Sequence, residues 1–370
     1  MHRIPHRQAN LSASVRRSFR AALKWLHLWL GLIAGLVFAA VALSGTVMTF
    51  QRELLLAAHP EWTQRTVPSL AAQGAVFSRI AAEWEPRGMR SVDLPSEKLP
   101  VWQGYFSDGV RRYFDPASGE LLLTRSTDND WILWLRDLHT HLLAGEAGEE
   151  ALGIFGLISL FLLLSGLYLW WPRWRTLALS LRWHAQPPTR RWFSWHRSGG
   201  ALLLPLLLLV TVTGVALIYH DAVRGALRGV FADGPEVVPP APIARTQQDI
   251  DWSALLQIAE SGLPNGELRR IALPKPDDAL VSIRYRAADE WHPNGRSVIW
   301  LDPYRNRVVQ RHDATTQGIG ARIDEAMYPL HGGFVGGRAW QWAVALSGLV
   351  PVFLWLTGFL FWRARRRRTG

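Results

Sequence analysis

Four stretches of this chain contain no Asp, Glu, Lys or Arg: residues 25–51, 151–172, 198–219 and 339–362. Each reaches or exceeds the roughly 20 residues that a helix needs to cross about 30 Å of hydrocarbon. A length of 370 residues would by itself suggest two or three soluble domains. The apolar residues are not spread as soluble cores would spread them, and the sequence predicts four membrane spans instead. The first run is longer than the roughly 7–15 residues of a secretory leader's apolar core. The third run mirrors it, so the first is expected to be a retained anchor.

Charge predicts the orientation. Residues 1–24 hold six Lys/Arg, residues 173–197 six and residues 363–370 five, with no acidic residue among them. All 30 acidic residues fall in 52–150 and 220–338, where they outnumber the remaining 24 basic ones. Lys and Arg favour cytoplasmic loops. Both termini and the loop 173–197 are therefore expected in the cytoplasm, with the two long segments outside. The pI near 10.7 then reflects topology, and no nucleic-acid partner is expected. The Arg-rich tail reads as an anchor that also meets anionic lipid. The chain has no cysteine, which excludes disulfides, iron–sulfur clusters, thiolate zinc sites and covalently attached c-type haem.

The chain also repeats itself. At an offset of 169, His27 aligns with His196, Gly31 with Gly200, and Ser44-Gly45 with Thr213-Gly214. At an offset of 192, His139 aligns with His331 and Ser165-Gly166 with Thr357-Gly358. Each half reads His, span, outside segment, His, span. In each outside segment a helical stretch (75–84, 253–262) precedes alternating strands, and Asp115-Pro116 and Asp302-Pro303 mark the turn into a closing strand. The expected fold is a mainly α membrane protein, with four transmembrane helices from an internal duplication and two small periplasmic α+β domains. Those domains, at about 60–80 residues, are too small to carry much core of their own.

One interfacial histidine is ordinarily unremarkable. Four at repeat-matched positions near spans form a functional hypothesis, because ionisable groups there are costly. Imidazole is a common axial ligand of b-type haem. His27 pairs with His196 at the inner surface and His139 with His331 at the outer. Gly31 and Gly200 follow their histidines by one turn, on the same face, and would give a macrocycle room. The same glycines also suit close helix packing, as in the pair Gly31 and Gly35. Two alternatives stay open at the outer site. His141 is about 200° around a helix from His139, and His220 closes the third span. His59, His184, His292 and His312 have no repeat partner and read as surface residues. His2 and His6 lie in the basic N-terminal segment. No nucleotide motif of the G-x-G-x-x-G or P-loop kind is present. The twenty tryptophans crowd the span ends, as an interfacial aromatic belt does.

The stretches "LHLWLGL…SG", "DLHTHLLAG…LSGLYLWWPR", "WHRSGG…TG" and "LHGGFVGG…TGFLFWR" resemble the PepSY-associated transmembrane helix proteins, iron-regulated inner-membrane proteins of bacteria. Within that family the chain is similar to siderophore-linked reductases. The resemblance implies two b-type haems and reduction of a ferric siderophore on the periplasmic side. The electron donor is then separate, a quinol or a cytosolic reductase. Two other expectations compete. PepSY units elsewhere restrain secreted proteases, which would make this a membrane-anchored regulator. Haem or metal handling without electron transfer is the other.

The orientation is open to a direct test. Reporter fusions after Gly370 and within 176–190 should report cytoplasm, and those within 85–125 and 240–315 periplasm. One inverted loop would overturn the charge argument.

Overall fold

The computed structural model describes residues 6–261 and 266–369. His2 lies outside them. The chain divides into two compact units. One, of residues 1–49, 136–219 and 331–370, contains the spans; the other, 50–135 and 220–330, contains the strands.

In chain order the first helix is α1 (His6–Met48), followed by α2 (Gln51–Ala58) and α3 (Leu70–Trp84). Four strands come next: β1 (Met89–Asp93), β2 (Trp102–Phe106), β3 (Arg111–Phe114) and β4 (Leu121–Arg125). Helix α4 (Trp131–His141) leads into the second span, α5 (Gly145–Trp170). After α6 (Leu177–Ser180) the third span is α7 (Pro188–Ile218), continued by α8 (His220–Phe231) and α9 (Trp252–Ser261). The strands β5 (Glu267–Ala272), β6 (Val281–Arg286), β7 (Ser297–Asp302) and β8 (Arg307–His312) precede α10 (Ile319–Gly332). The fourth span is broken into α11 (Gly337–Ser347) and α12 (Leu349–Thr369).

Among the described residues, four helices are long and apolar enough to cross a membrane. Their outward side chains agree: Ile33 is 68% exposed, Ile154 58% and Leu202 55%. So much exposed aliphatic surface on every span suits lipid and not water. The spans touch in a ring, α1 to α5, α5 to α7, α7 to α12 and α12 to α1, which leaves α1 and α7 across a diagonal. Small hydroxyl residues line the interior, with Ser44, Ser165, Thr213 and Thr357 all buried. Such residues let backbones approach closely in lipid. Gly348, at the break in the fourth span, sits against the Ala42 carbonyl and Thr46 of α1. The Thr46 hydroxyl donates to the Ala345 carbonyl at 2.8 Å.

In the second unit the two small α+β domains expected are joined into one. All eight strands form one antiparallel sheet, ordered β4-β3-β2-β1-β5-β6-β7-β8. The join is β1 against β5, with Val92 opposite Ile271 and Asp93 opposite Arg270. Each half alone would leave that strand as an open edge, and pairing them removes both edges. One face is covered by α3 and α9. Phe77, Ile80, Leu255 and Leu256 pack there on Val92, Trp102, Ile271, Ile283 and Ile299 in one core. The Asp-Pro turns recur as expected. Asp115 Oδ1 accepts from the backbone N–H of Ala117 and Ser118, and Asp302 Oδ1 from Tyr304 and Arg305.

Helices α3 and α9 approach closely because Gly74 has no side chain. A Cβ there would lie 2.6 Å from the Ser253 Cα. Gly74→Val should therefore force the helices apart, at about 1–3 kcal/mol for overpacking. The measurement is the midpoint of thermal unfolding, and an unchanged midpoint would contradict this packing.

Candidate functional site

Each of the four repeat-matched histidines rests on a neighbouring span at a Ser-Gly or Thr-Gly pair. His27 Nδ1 lies 2.8 Å from Ser165 Oγ. His139 Nδ1 lies 2.8 Å from the Val41 carbonyl and 3.1 Å from Ser44 Oγ. His196 Nδ1 is 2.9 Å from the Leu354 carbonyl, with Thr357 Oγ1 at 3.4 Å. His331 Nδ1 is 2.9 Å from the Val210 carbonyl, with Thr213 Oγ1 at 3.3 Å.

These contacts fix the tautomer. A carbonyl only accepts, so Nδ1 carries the proton in His139, His196 and His331. The Ser165 hydroxyl donates to the Leu162 carbonyl at 3.2 Å, so it accepts from His27 in the same way. All four rings then keep the Nε2 lone pair free. This is the arrangement of a metal-ligating imidazole, whose other N–H is held by an oxygen acceptor.

The glycine of each pair makes room for the ring. A Cβ at Gly45 would stand 2.8 Å from His139 Cε1, and one at Gly214 2.8 Å from His331 Cε1. At Gly166 it would stand 3.3 Å from His27, and at Gly358 3.3 Å from His196. Gly31 and Gly200, expected to serve the site, have no such contact; a Cβ would meet only Leu162 at 3.8 Å and Leu354 at 3.5 Å. The glycines that seat the rings are therefore on the opposing helix. They were visible as repeat-matched Ser-Gly and Thr-Gly dipeptides, with nothing in the sequence to say which imidazole each would meet.

The rings meet in the expected pairs. His27 and His196 have centroids 6.3 Å apart at an interplanar angle of 84°. His139 and His331 are 6.0 Å apart at 44°. Ser44 follows His27 by 17 residues on α1, and Thr213 follows His196 by 17 on α7. At 1.5 Å per residue the two pairs lie about 25 Å apart along the bundle.

The alternatives at the outer site have other partners. His141 faces Asp137, at 3.3 Å from Nδ1, and Glu149, at 3.9 Å from Nε2. His220 Nδ1 lies 3.3 Å from Asp221 and its Nε2 3.4 Å from Asp324. Of the histidines read as surface residues, His292 differs: it is 7% exposed and stacked on Tyr328 with centroids 5.1 Å apart. Burial, with four arginines nearby, pushes its pKa down to about 3.

The corners after the outer histidines explain their flanking sequences. Leu142 and Leu143 take positive φ after α4, as does Gly145. Gly333, Gly336 and Gly337 do so after α10. Both corners turn a short helix that ends in histidine into the head of a span.

A family profile described as the PepSY-associated TM region matches residues 24–365. The chain belongs to the PepSY-associated TM region family. The match takes in all four spans and all four paired histidines, and the protein is a multi-pass membrane protein. No curated protein matches this PepSY-associated chain.

Proposed function

We propose that this PepSY-associated protein is a b-type di-haem reductase of the bacterial inner membrane, carrying electrons across the bilayer to reduce ferric siderophore iron in the periplasm. The observation that supports it is the two imidazole pairs, one toward each end of the bundle, each ring with Nε2 free. Two nitrogens about 2 Å from a shared metal put ring centroids about 6 Å apart, and both pairs have that spacing. Two protein ligands suit a macrocycle that brings the other four donors. When bound, b-type haem would supply a reversible one-electron iron centre.

His27 and His196 would ligate one haem and His139 and His331 the other. The Val41, Val210 and Leu354 carbonyls and the Ser165 hydroxyl orient the rings and raise their basicity through Nδ1–H. Each chelated iron(III) takes up one electron and becomes iron(II), which siderophores hold far less tightly. A quinol, or a cytosolic reductase, supplies the electrons; a two-electron quinol serves two irons and releases two protons. The basic segments put both termini and the His27–His196 end in the cytoplasm on this reading. A protease regulator would need none of the four imidazoles held with Nε2 free.

His27→Ala or His196→Ala should each remove about half of the bound haem, since a bis-imidazole site does not survive loss of one ligand. Haem-to-protein ratios and reduced-minus-oxidised spectra measure this, and wild-type values in both variants would refute the inner pair. At the outer pair, His139→Ala and His331→Ala should lose haem while His141→Ala and His220→Ala keep it. Gly45→Val and Gly214→Val should mimic the ligand losses, because a Cβ displaces the ring. For the reaction itself, dithionite-reduced protein mixed anaerobically with a ferric siderophore should reoxidise and release trappable iron(II). Persistent reduction beside every chelate tried would sink the reductase reading.

A further inference from the structure

The sheet has a second face, away from α3 and α9. Along one row Asp93 opposes Arg270, Arg270 opposes Arg284, and Arg284 opposes Val298. These positions alternate with Val92, Ile271, Ile283 and Ile299, which lie wholly buried in the helix-covered core. The arginines therefore project from the other face.

Two arginines directly opposite each other repel. Arg270 is compensated: its Nε and Nη2 donate to the two Asp93 oxygens at 2.5 and 2.9 Å. The Tyr105 hydroxyl also donates to Asp93, at 2.8 Å, so that carboxylate is fully engaged. Arg284 has no ion pair and no side-chain hydrogen bond among the described residues. Arg296, at the end of the loop between β6 and β7, leaves its Nε buried without a hydrogen-bond partner.

The carboxylates nearby are committed elsewhere. Glu290 accepts three backbone N–H groups, from Ala287, Arg296 and Ser297, at 2.6, 2.6 and 3.0 Å. It thereby closes the loop rather than pairing with a guanidinium. Arg286 Nε donates to the Glu290 backbone carbonyl at 3.2 Å. Glu325 on α10 accepts from Gln317 Nε2 at 3.0 Å; burial pushes it up to about 7, although nearby Arg296 pulls the other way. Burial, then Arg296 and Arg270, pulls the Arg284 guanidinium below its ordinary value. The same arginines help to keep His292 neutral. A part-buried surplus of positive charge is costly unless something neutralises it. Guanidinium forks match carboxylate and phosphate oxygens bidentately.

We propose that Arg284 and Arg296 hold an oxyanion-bearing ligand on this face of the sheet and, resting on the reductase reading, that the iron chelates served are anionic ones with free carboxylates. A lipid phosphate has the same chemistry, so the test separates the two.

The probe is gallium(III) citrate, a redox-inert polycarboxylate chelate whose binding does not depend on electron transfer. Its affinity is measured by calorimetry on the full chain in uncharged detergent and in nanodiscs of zwitterionic or anionic lipid. Saturable binding is expected that weakens with salt and falls at least tenfold in Arg284→Gln and in Arg296→Gln. Arg284→Lys should recover part of the loss, and Arg305→Gln, a control at an exposed side chain, should leave binding unchanged. Thermal midpoints near wild type show that the Gln variants are folded. Absence of binding to wild type, or wild-type affinity in both Gln variants, overturns the proposal. Binding abolished in anionic nanodiscs alone assigns the arginines to headgroups and overturns the chelate. Failure of the reductase reading would show separately, as a protein without haem absorption.

Discussion

The structure depends on a half-buried imidazole being held by a neighbouring helix. An unpaired N–H in a lipid-embedded bundle costs several kcal/mol, on the order of the water-to-hydrocarbon transfer of a polar group. Three of the four rings meet that demand at a helical carbonyl, and the fourth at a serine hydroxyl. The ring reaches the carbonyl because a glycine follows it by four residues, one turn on. The adjacent Ser or Thr hydroxyl bonds to its own helix: Ser44 to the Val41 carbonyl at 2.6 Å and Thr213 to the Val210 carbonyl at 3.0 Å. Each site thus needs three neighbouring features together: a carbonyl, a hydroxyl three residues on, and a glycine after that.

The motif occurs four times, and the helix that provides it alternates. In the first half α1 gives His27 and receives His139, while α5 receives His27. In the second half α7 gives His196 and receives His331, while α12 receives His196. The halves are tied by the ring pairs, since His27 meets His196 and His139 meets His331. The strand unit follows the same logic. Its two four-strand halves meet at β1 and β5, in the middle of one sheet, and neither closes its edge without the other.

The spans were legible because membrane thickness imposes a length on apolar runs. The ring pairs were legible because repeat alignment needs no knowledge of packing. The acceptors were not. Ser44-Gly45 and Ser165-Gly166 stood out as matched positions, yet a short polar pair in a span equally suits close helix contact. The joined sheet was hidden because β1 and β5, "MRSVD" and "ELRRIA", are polar and weakly alternating. Their pairing rests on Asp93 and Arg270, two residues far apart in sequence. His292 was read as a surface residue because it has no repeat partner. It is buried by Tyr328 from α10, a contact that no local pattern announces.

The two halves turn differently after His139 and His331. After His331 the chain turns through glycines, which accept positive φ without steric cost. After His139 it turns through Leu142 and Leu143, at φ 48° and 61°, where such backbone costs on the order of 1–3 kcal/mol per residue. The first corner is nonetheless closely fitted, with Gly148 against the His141 carbonyl. Strain at a leucine pair persists only when surrounding contacts outweigh it. Here those contacts are the hydrogen bond from Nδ1 and the ring's seat on Gly45. These two imidazoles are therefore placed by the carbonyl and glycine they meet on the neighbouring span, which is why two unlike loops deliver the same ring contacts.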